Sequence, residues 1–318
     1  MKISASVIVP TFRGERRLPG LLRALEAQQL ARDLTWQVIV VVDGVVDASS
    51  VVLDGFHDRL PLDVVVLQQN SGRAVALNAG FERALGGVLI RCDDDLVPGP
   101  EFVSRHVAHH RESEAGIVGL CPNAATGTRY DQVYGRDSAR RSLADAYKLP
   151  ADQRWRLWAA NCSTTREVFD WVGPYDVGFR EYGWEDIDWG YRLRLQGIPV
   201  RVERDLQTPH LGVSLTAQTR ISRAFASGSA RAAFDLKHGL NPSSVEQDGS
   251  TGSATTRVWN GLVRTAARDH RQAHWRRLGA AIDAVLPVVP PRAGGKLVAL
   301  GVEGAGLAGY VGSRRSAT

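Results

Sequence analysis

Short runs of apolar, mostly β-branched residues alternate with segments of helical period along the first third of the chain, and this alternation constrains the fold most tightly. The runs SASVIVPTF, WQVIVVVDG, LDVVVLQQN, VLIRCDDD and GIVGLCP each read as a strand. Between them, RRLPGLLRALEAQQL repeats Leu18, Leu21, Leu22 and Leu25 at helical spacing. GRAVALNAGFERALGG reads as a helix closed by glycines, and PEFVSRHVAHHRES as another helix. Strands that are apolar on both faces and separated by helices predict an α/β fold, a mostly parallel sheet covered on both sides. In such sheets, ligands bind outside the carboxyl ends of the strands.

Polar residues gather at those ends. Thr11, Asp43, Asn70 and the acids Asp93, Asp94 and Asp95 all follow a predicted strand, so they are expected to converge on one rim. Three adjacent carboxylates repel one another unless a cation or hydrogen bonds offset the charge. A hard divalent cation prefers oxygen ligands and often shares them with phosphates. On extended backbone the first and third residues of a triplet point the same way, so Asp93 and Asp95 are expected to reach one ligand together. A helix N-cap or an exposed turn explains the same triplet equally well. Asp43, before Gly44, suits hydrogen bonds from a base or ribose, and suits a plain strand-to-turn role as well.

Past Asn123 the alternation weakens. The stretch AATGTRYDQVYGRDSARRSLADAYKLPADQ is polar and reads as loop. A small-residue turn is expected at Ala159 to Ser163, followed by a helix. WEDIDWGYRLRLQG is a helix that crowds Glu185, Asp186 and Asp188 near its start, where the helix dipole favours anions. Asp188 and Arg192 have the spacing of a surface ion pair. Trp184, Ile187, Tyr191 and Leu195 form an apolar stripe. Trp184 also ends YDVGFREYGW, an aromatic and glycine-rich stretch suited to a binding wall, beside which a carboxylate such as Asp186 could accept a proton from a hydroxyl. His210 matters only if the fold returns it to the acidic rim; His106, His109 and His110 read as surface.

The net charge of +5 is unevenly spread. From Thr251 onward there are ten Lys/Arg and three Asp/Glu, which leaves −2 for the first 250 residues. RVWNGLVRTAARDHRQAHWRRLGAAIDAVLPVV reads as a basic amphipathic helix suited to an anionic membrane surface or to covering another part of the protein. NPSSVEQDGSTGSATT reads as a linker. Three scattered cysteines without a C-x-x-C pair suggest a reducing compartment. The first residues lack the pattern of a signal peptide, and no apolar run is long enough to span a bilayer.

The order of the motifs resembles a family 2 glycosyltransferase with the GT-A fold. The matching pieces are SVIVPTF, VVDGVVD, NSGRAVALNAG, DDDLVPGPEF, the segment from AANCSTT through WEDIDWGYRLRLQG, and the Pro-His at His210. Together they span roughly residues 3 to 215. The resemblance implies residues 1–240 as the transferase domain, 241–256 as linker and 257–318 as a basic helical extension. It implies that Pro10, Thr11 and Asp43 line a nucleotide pocket, with Arg73 near the diphosphate or base and Asp94 and Trp184 also facing substrate. Asp93 and Asp95 become the D-x-D pair, and Asp93, Asp95 and His210 are the residues on a Mn²⁺ or Mg²⁺ ion, with Asp95 the more direct ligand. Asn161 faces the donor sugar, Asp186 is the catalytic base and Glu185 its neighbour. The turn DGVVD departs from the Asp-Asp-Gly-Ser type of many members, which leaves the nucleotide contacts open.

The implied activity is inverting transfer from a nucleoside-diphosphate sugar, first of all a UDP-sugar, to a glycan, lipid-linked or small-molecule hydroxyl. The implied setting is cytoplasmic, with a peripheral membrane contact and no nucleic acid. Two other classes stand beside it. A nucleotidyltransferase calls for a glycine- and lysine-rich phosphate loop, which PTFRGERRLPG matches poorly. A non-catalytic binder acting through the basic tail leaves the acids at successive strand ends unexplained.

Overall fold

A computed structural model describes residues 3–112, 114–179, 183–240 and 253–317. It divides into two compact units. The expected linker lies almost wholly outside the described residues.

The first unit takes in Met1–Ala124, Arg141–Arg180 and Glu185–Val213. Its strands are β1 (Ala5–Thr11), β2 (Trp36–Asp43), β3 (Leu62–Leu67), β4 (Val88–Cys92), β5 (Gly116–Val118), β6 (Asn161–Thr165) and β7 (Val200–Val202). They form one mixed sheet in the order β3-β2-β1-β4-β6-β5-β7. All pairings are parallel except those of β6, which runs antiparallel to both β4 and β5. The expected α/β architecture is therefore present. Every residue of β1 is buried, as a central strand covered on both faces requires. Helices α1 (Leu18–Glu26), α2 (Ser49–Asp54), α3 (Arg73–Arg83) and α4 (Phe102–Glu112) follow the first four strands. The four leucines of α1 are all buried, as their spacing predicts.

Downstream, three expectations change. The polar stretch after Asn123 is largely helical: a π-helical turn at Asp131–Gly135, α5 (Arg136–Lys148) and a 3-10 turn at Ala151–Leu157. No residue of α5 is buried, so it carries no apolar stripe to read. The expected turn at Ala159 to Ser163 is instead the start of β6, whose sequence NCSTT has no large apolar residue. Part of its polarity is met from α4, while Thr164 Oγ1 is buried without a hydrogen-bond partner among the described residues. Both rings His106 and His110 contact Ser163 Oγ at 2.8 Å, and His106 also contacts Asn161 Oδ1 at 2.9 Å. His106 is fully buried rather than on the surface. Thr165 ends the strand and caps α6 (Arg166–Val172) by accepting from the Val168 amide.

The second unit comprises the described residues of Ala125–Arg140, Glu181–Trp184 and Ser214–Thr318. It contains α8 (Ala217–Lys237), α9 (Ala254–Ala266), α10 (Gln272–Val285) and α11 (Pro291–Ala317); α7 (Trp184–Leu195) lies in the first unit apart from Trp184. Glycine sets the packing of α8 on α11. A Cβ on Gly228 would lie 2.0 Å from Gly306 O, and one on Gly309 would lie 2.1 Å from Phe225 O. The single basic helix expected after the linker is two helices, α9 and α10. Val263 and Trp275 are spent on the unit's own core, while Val258 and Leu262 stay exposed. Among the described residues, no helix is long and apolar enough to cross a membrane.

Candidate active site

The carboxyl ends of β1, β2 and β4 carry the predicted polar rim. Pro10 and Thr11 close β1 and Asp43 closes β2. Asp43 accepts from the amides of Ser71 at 2.7 Å and Gly72 at 2.9 Å, and so fixes the loop that enters α3. Gly72 has φ of 94°, a left-handed conformation that suits glycine. This is the turn role the sequence left open for Asp43. The same loop aims Arg73, the first residue of α3, at Glu185, with Nη1 to Oε1 at 3.3 Å.

The three acids do not continue the strand. The Leu96 amide donates to Asp93 O at 3.2 Å, so the chain turns after Cys92 and side-chain alternation no longer applies. The carboxylates fan out to three sets of partners. Asp94 accepts from Thr11 Oγ1 at 2.6 Å and from Arg17 Nε at 2.9 Å and Nη2 at 2.8 Å. Burial still holds its carboxyl above the ordinary value, against the pull of Arg17. Asp93 is taken by Arg91, through Nε at 2.8 Å and Nη2 at 3.2 Å. It is therefore not presented with Asp95 to one ligand, as the alternation had suggested.

Asp95 meets His210. Its Oδ2 lies 3.1 Å from His210 Nε2, and the Leu211 amide donates to Asp95 O at 2.8 Å. Gly212 makes the room, since a Cβ there would lie 1.8 Å from Asp95 Oδ2. Burial works to raise the Asp95 carboxyl, but His210, Arg17 and Arg73 outweigh it and hold it below the ordinary value. Two observations fit a cation here. Asp95 Oδ1 is buried with no hydrogen-bond partner. The other ring nitrogen, His210 Nδ1, lies 2.9 Å from Asn123 Oδ1. With its proton donated there, Nε2 offers a lone pair beside a carboxylate oxygen, which is repulsive unless a proton or metal lies between them.

Glu185 and Asp186 lie in the first turn of α7, and both are buried. Asp186 Oδ1 accepts a close contact from Arg91 Nη1. Arg91 is 1% exposed and grips Asp186 and Asp93 at once, although these lie on separate elements. Burial raises the Asp186 carboxyl to about 7; Arg91 and Arg73 pull it down and Glu185 pushes it up. Neither Arg17 nor Arg91 was among the sequence candidates. Arg91 had a signal, because an arginine inside an otherwise apolar strand needs a buried anionic partner.

Three placements differ from expectation. Asn161 stands beside Cys92 at the rim end of β6, but its amide donates to Leu206 O at 2.8 Å and Thr208 Oγ1 at 3.1 Å. With its carbonyl on His106, the side chain is committed to the interior and does not face the rim. Asp188 and Arg192 pair at 3.1 Å, but Asp188 is fully buried, and Arg192 also donates to Val172 O and Pro174 O. On the expected stripe Leu195 is exposed, and Trp184 packs in the second unit, with Nε1 on Ser227 Oγ at 3.0 Å. A further group, His109, Glu203 and Asp205, brings its ligand atoms within 4.8 Å of one another. It is already charge-paired, with Glu203 on Arg201 at 2.8 Å.

The model of glycosyl transferase family 2 matches residues 6–169, just over half of the chain. The chain belongs to glycosyl transferase family 2. Relatives include an uncharacterized glycosyltransferase, YfnE, of Bacillus subtilis, 26% identical with 65% of this chain and 64% of the relative covered. Validoxylamine A glucosyltransferase of Streptomyces hygroscopicus subsp. limoneus is 28% identical, covering 64% of this chain and 51% of the relative. The chain thus spans about half to two thirds of the length of these curated relatives. Among solved structures, the mannosyltransferase PcManGT from Pyrobaculum calidifontis, in complex with GDP-Man and Mn²⁺, superposes with a TM-score of 0.58 at 16% identity, covering 96% of this chain and 86% of that one. S. aureus TarS 1-349 in complex with UDP gives 0.53 at 14%, covering 99% and 91%. These two likenesses establish the fold.

Proposed function

We propose that the chain transfers a glycosyl group from a nucleoside-diphosphate sugar to an acceptor hydroxyl, with inversion at the anomeric carbon. The observation that carries this reading is Arg91, whose one guanidinium spans Asp93 and Asp186 and so brings the α7 carboxylate to the acidic end of β4. In the reaction the acceptor oxygen attacks the anomeric carbon as the bond to the diphosphate breaks, and that electron pair leaves with the diphosphate. Asp186 takes the hydroxyl proton. Arg91 favours the ionised form of Asp186 against burial, which a base needs. Arg73, at the N-terminus of α3, is placed to face the diphosphate, with Glu185 setting its direction.

Asp95 and His210 are the residues that would hold a divalent cation, which when bound supplies Lewis-acid charge at the diphosphate. The imidazole nitrogen favours Mn²⁺ over Mg²⁺. UDP-sugars and GDP-sugars are the first donors to test, since neighbours of this fold were solved with UDP-GlcNAc and GDP-Man. A lipid phosphate joins the acceptor candidates through relatives named undecaprenyl-phosphate 4-deoxy-4-formamido-L-arabinose transferase, 36% identical over 182 residues in Pseudomonas aeruginosa. Exposed Val258 and Leu262 on the basic α9 support a peripheral membrane contact in the same reading.

The test is donor hydrolysis across a panel of nucleotide sugars with Mn²⁺, for wild type and Asp186→Asn. One donor should turn over in wild type, and the variant should lose about 10²- to 10⁴-fold in rate while still binding that donor. Equal turnover by the two proteins would remove Asp186 from the reaction.

A further inference from the structure

The second unit holds a cavity of about 560 Å³ whose walls come from α8, α9, α11 and Trp184. That volume is typical of a small-molecule site. Three arginines line it, Arg220 and Arg231 on α8 and Arg264 on α9, against one carboxylate, Glu303 on α11. Glu303 is engaged by the Trp259 indole N–H at 2.7 Å. Arg231 lies over the Tyr310 ring at 5.6 Å, with Asp235 at 3.8 Å. Arg220 is half-buried, and among the described residues its guanidinium has no hydrogen bond or ion pair. A cation drawn partly out of water without an anion is unfavourable, so the lining is short of negative charge. The glycine contact between α8 and α11 lets the two backbones touch, and Gly228 and Gly306 both line the cavity.

We propose that this cavity binds the phosphoryl group of a phosphorylated ligand. A guanidinium fork matches the oxygens of a phosphate and is always charged. Trp184 adds an aromatic wall for the apolar or sugar part of the same molecule.

The test uses the full chain and two phosphate sources. Glycerol phosphate is titrated by calorimetry, and phosphatidylcholine vesicles with and without phosphatidic acid are tested by flotation. Wild type, Arg220→Gln and Arg220→Lys are compared, with circular dichroism to confirm folding. UDP and GDP titrations with and without Mn²⁺ report the other unit on the same preparations. The phosphate probe should bind wild type, weaken about tenfold or more in Arg220→Gln and recover in part in Arg220→Lys. Binding of glycerol phosphate points to a soluble phosphate, and binding of the phosphatidic acid vesicles alone to a lipid headgroup. Wild-type binding by a folded Arg220→Gln, or no binding of either probe by wild type, overturns the proposal.

Discussion

Replacing Arg91 with Met keeps most of the side chain's length and removes the charge that Asp93 and Asp186 share. The arginine is 1% exposed, so water cannot take its place. Removing one partner of a buried ion pair costs about 3–5 kcal/mol, because the other charge is left without compensation. For a domain of this size that corresponds to a fall in melting temperature of about 6–20 °C. The loss should depend on pH with a definite sign. The folded Asp186 carboxyl titrates at about 7 against an ordinary 3.8. Between these values the folded chain binds more protons at this site than the unfolded chain, so this carboxyl's contribution to stability falls as pH rises through the window. Without Arg91 the folded value rises further and the window extends upward. The deficit of Arg91→Met is therefore smallest near pH 5 and largest near pH 9, growing by about 1.4 kcal/mol for each unit of extra shift. The acid limb of kcat/KM moves to higher pH by the same shift. Urea unfolding and pH–rate profiles of the two proteins measure both effects. Adding Asp186→Asn to Arg91→Met should restore part of the lost stability, because one of the two carboxylates left without Arg91 is then neutral. An Arg91→Met protein that melts within about 1 °C of wild type at pH 9, where the loss of about 3–5 kcal/mol should be fullest, refutes the reasoning.

Other perturbations reach the remaining parts of the rim. Gly212→Ala would set a methyl group 1.8 Å from Asp95 Oδ2, so the carboxylate must move away from His210. It should weaken Mn²⁺-dependent nucleotide binding as much as Asp95→Ala does, and unchanged binding by calorimetry contradicts the assignment of Asp95. Burial holds His106 neutral, down to about 3, and His110 down to about 4. The unfolded chain takes up those protons below about 6.5, so each histidine costs about 1.4 kcal/mol of stability per pH unit as pH falls from there toward its folded value. Asp186 works in the opposite direction, leaving a net loss of about 1.4 kcal/mol between pH 6 and pH 5. His106→Gln should bring that slope in urea unfolding close to zero, and a slope equal to wild type's would place the acid sensitivity elsewhere.

The sheet was legible because strands covered on both faces are mostly apolar, and β1, β2 and β4 are, with Arg91 the charged exception inside β4. The same rule hid β6. Its NCSTT sets Asn161 and Ser163 against His106 and His110 rather than burying large apolar side chains, so it read as a turn. Helix α5 escaped because it buries nothing. Helix α8, rich in Ala, Ser and Arg, packs through backbone contact at glycine rather than through large side chains, so it lacks a strong stripe. The acids of the rim were visible as polar residues at strand ends. Of their partners only His210 was named, through the resemblance; Arg91 and Arg17 were not, because the turn after Cys92 sends Asp93 and Asp94 to them and no spacing rule follows a chain through such a turn. Asn161 misled because its place at the rim end of β6 says nothing of where its amide points.

The central claim is that Asp95 and His210 form the cation end of a rim that Asp186 completes. Crystals grown with Mn²⁺ and a nucleoside diphosphate, measured at the manganese absorption edge, test it most directly. We predict an anomalous peak between Asp95 and His210, in contact with the diphosphate. A peak only at His109, Glu203 and Asp205, or a nucleotide bound away from Asp95, contradicts the account.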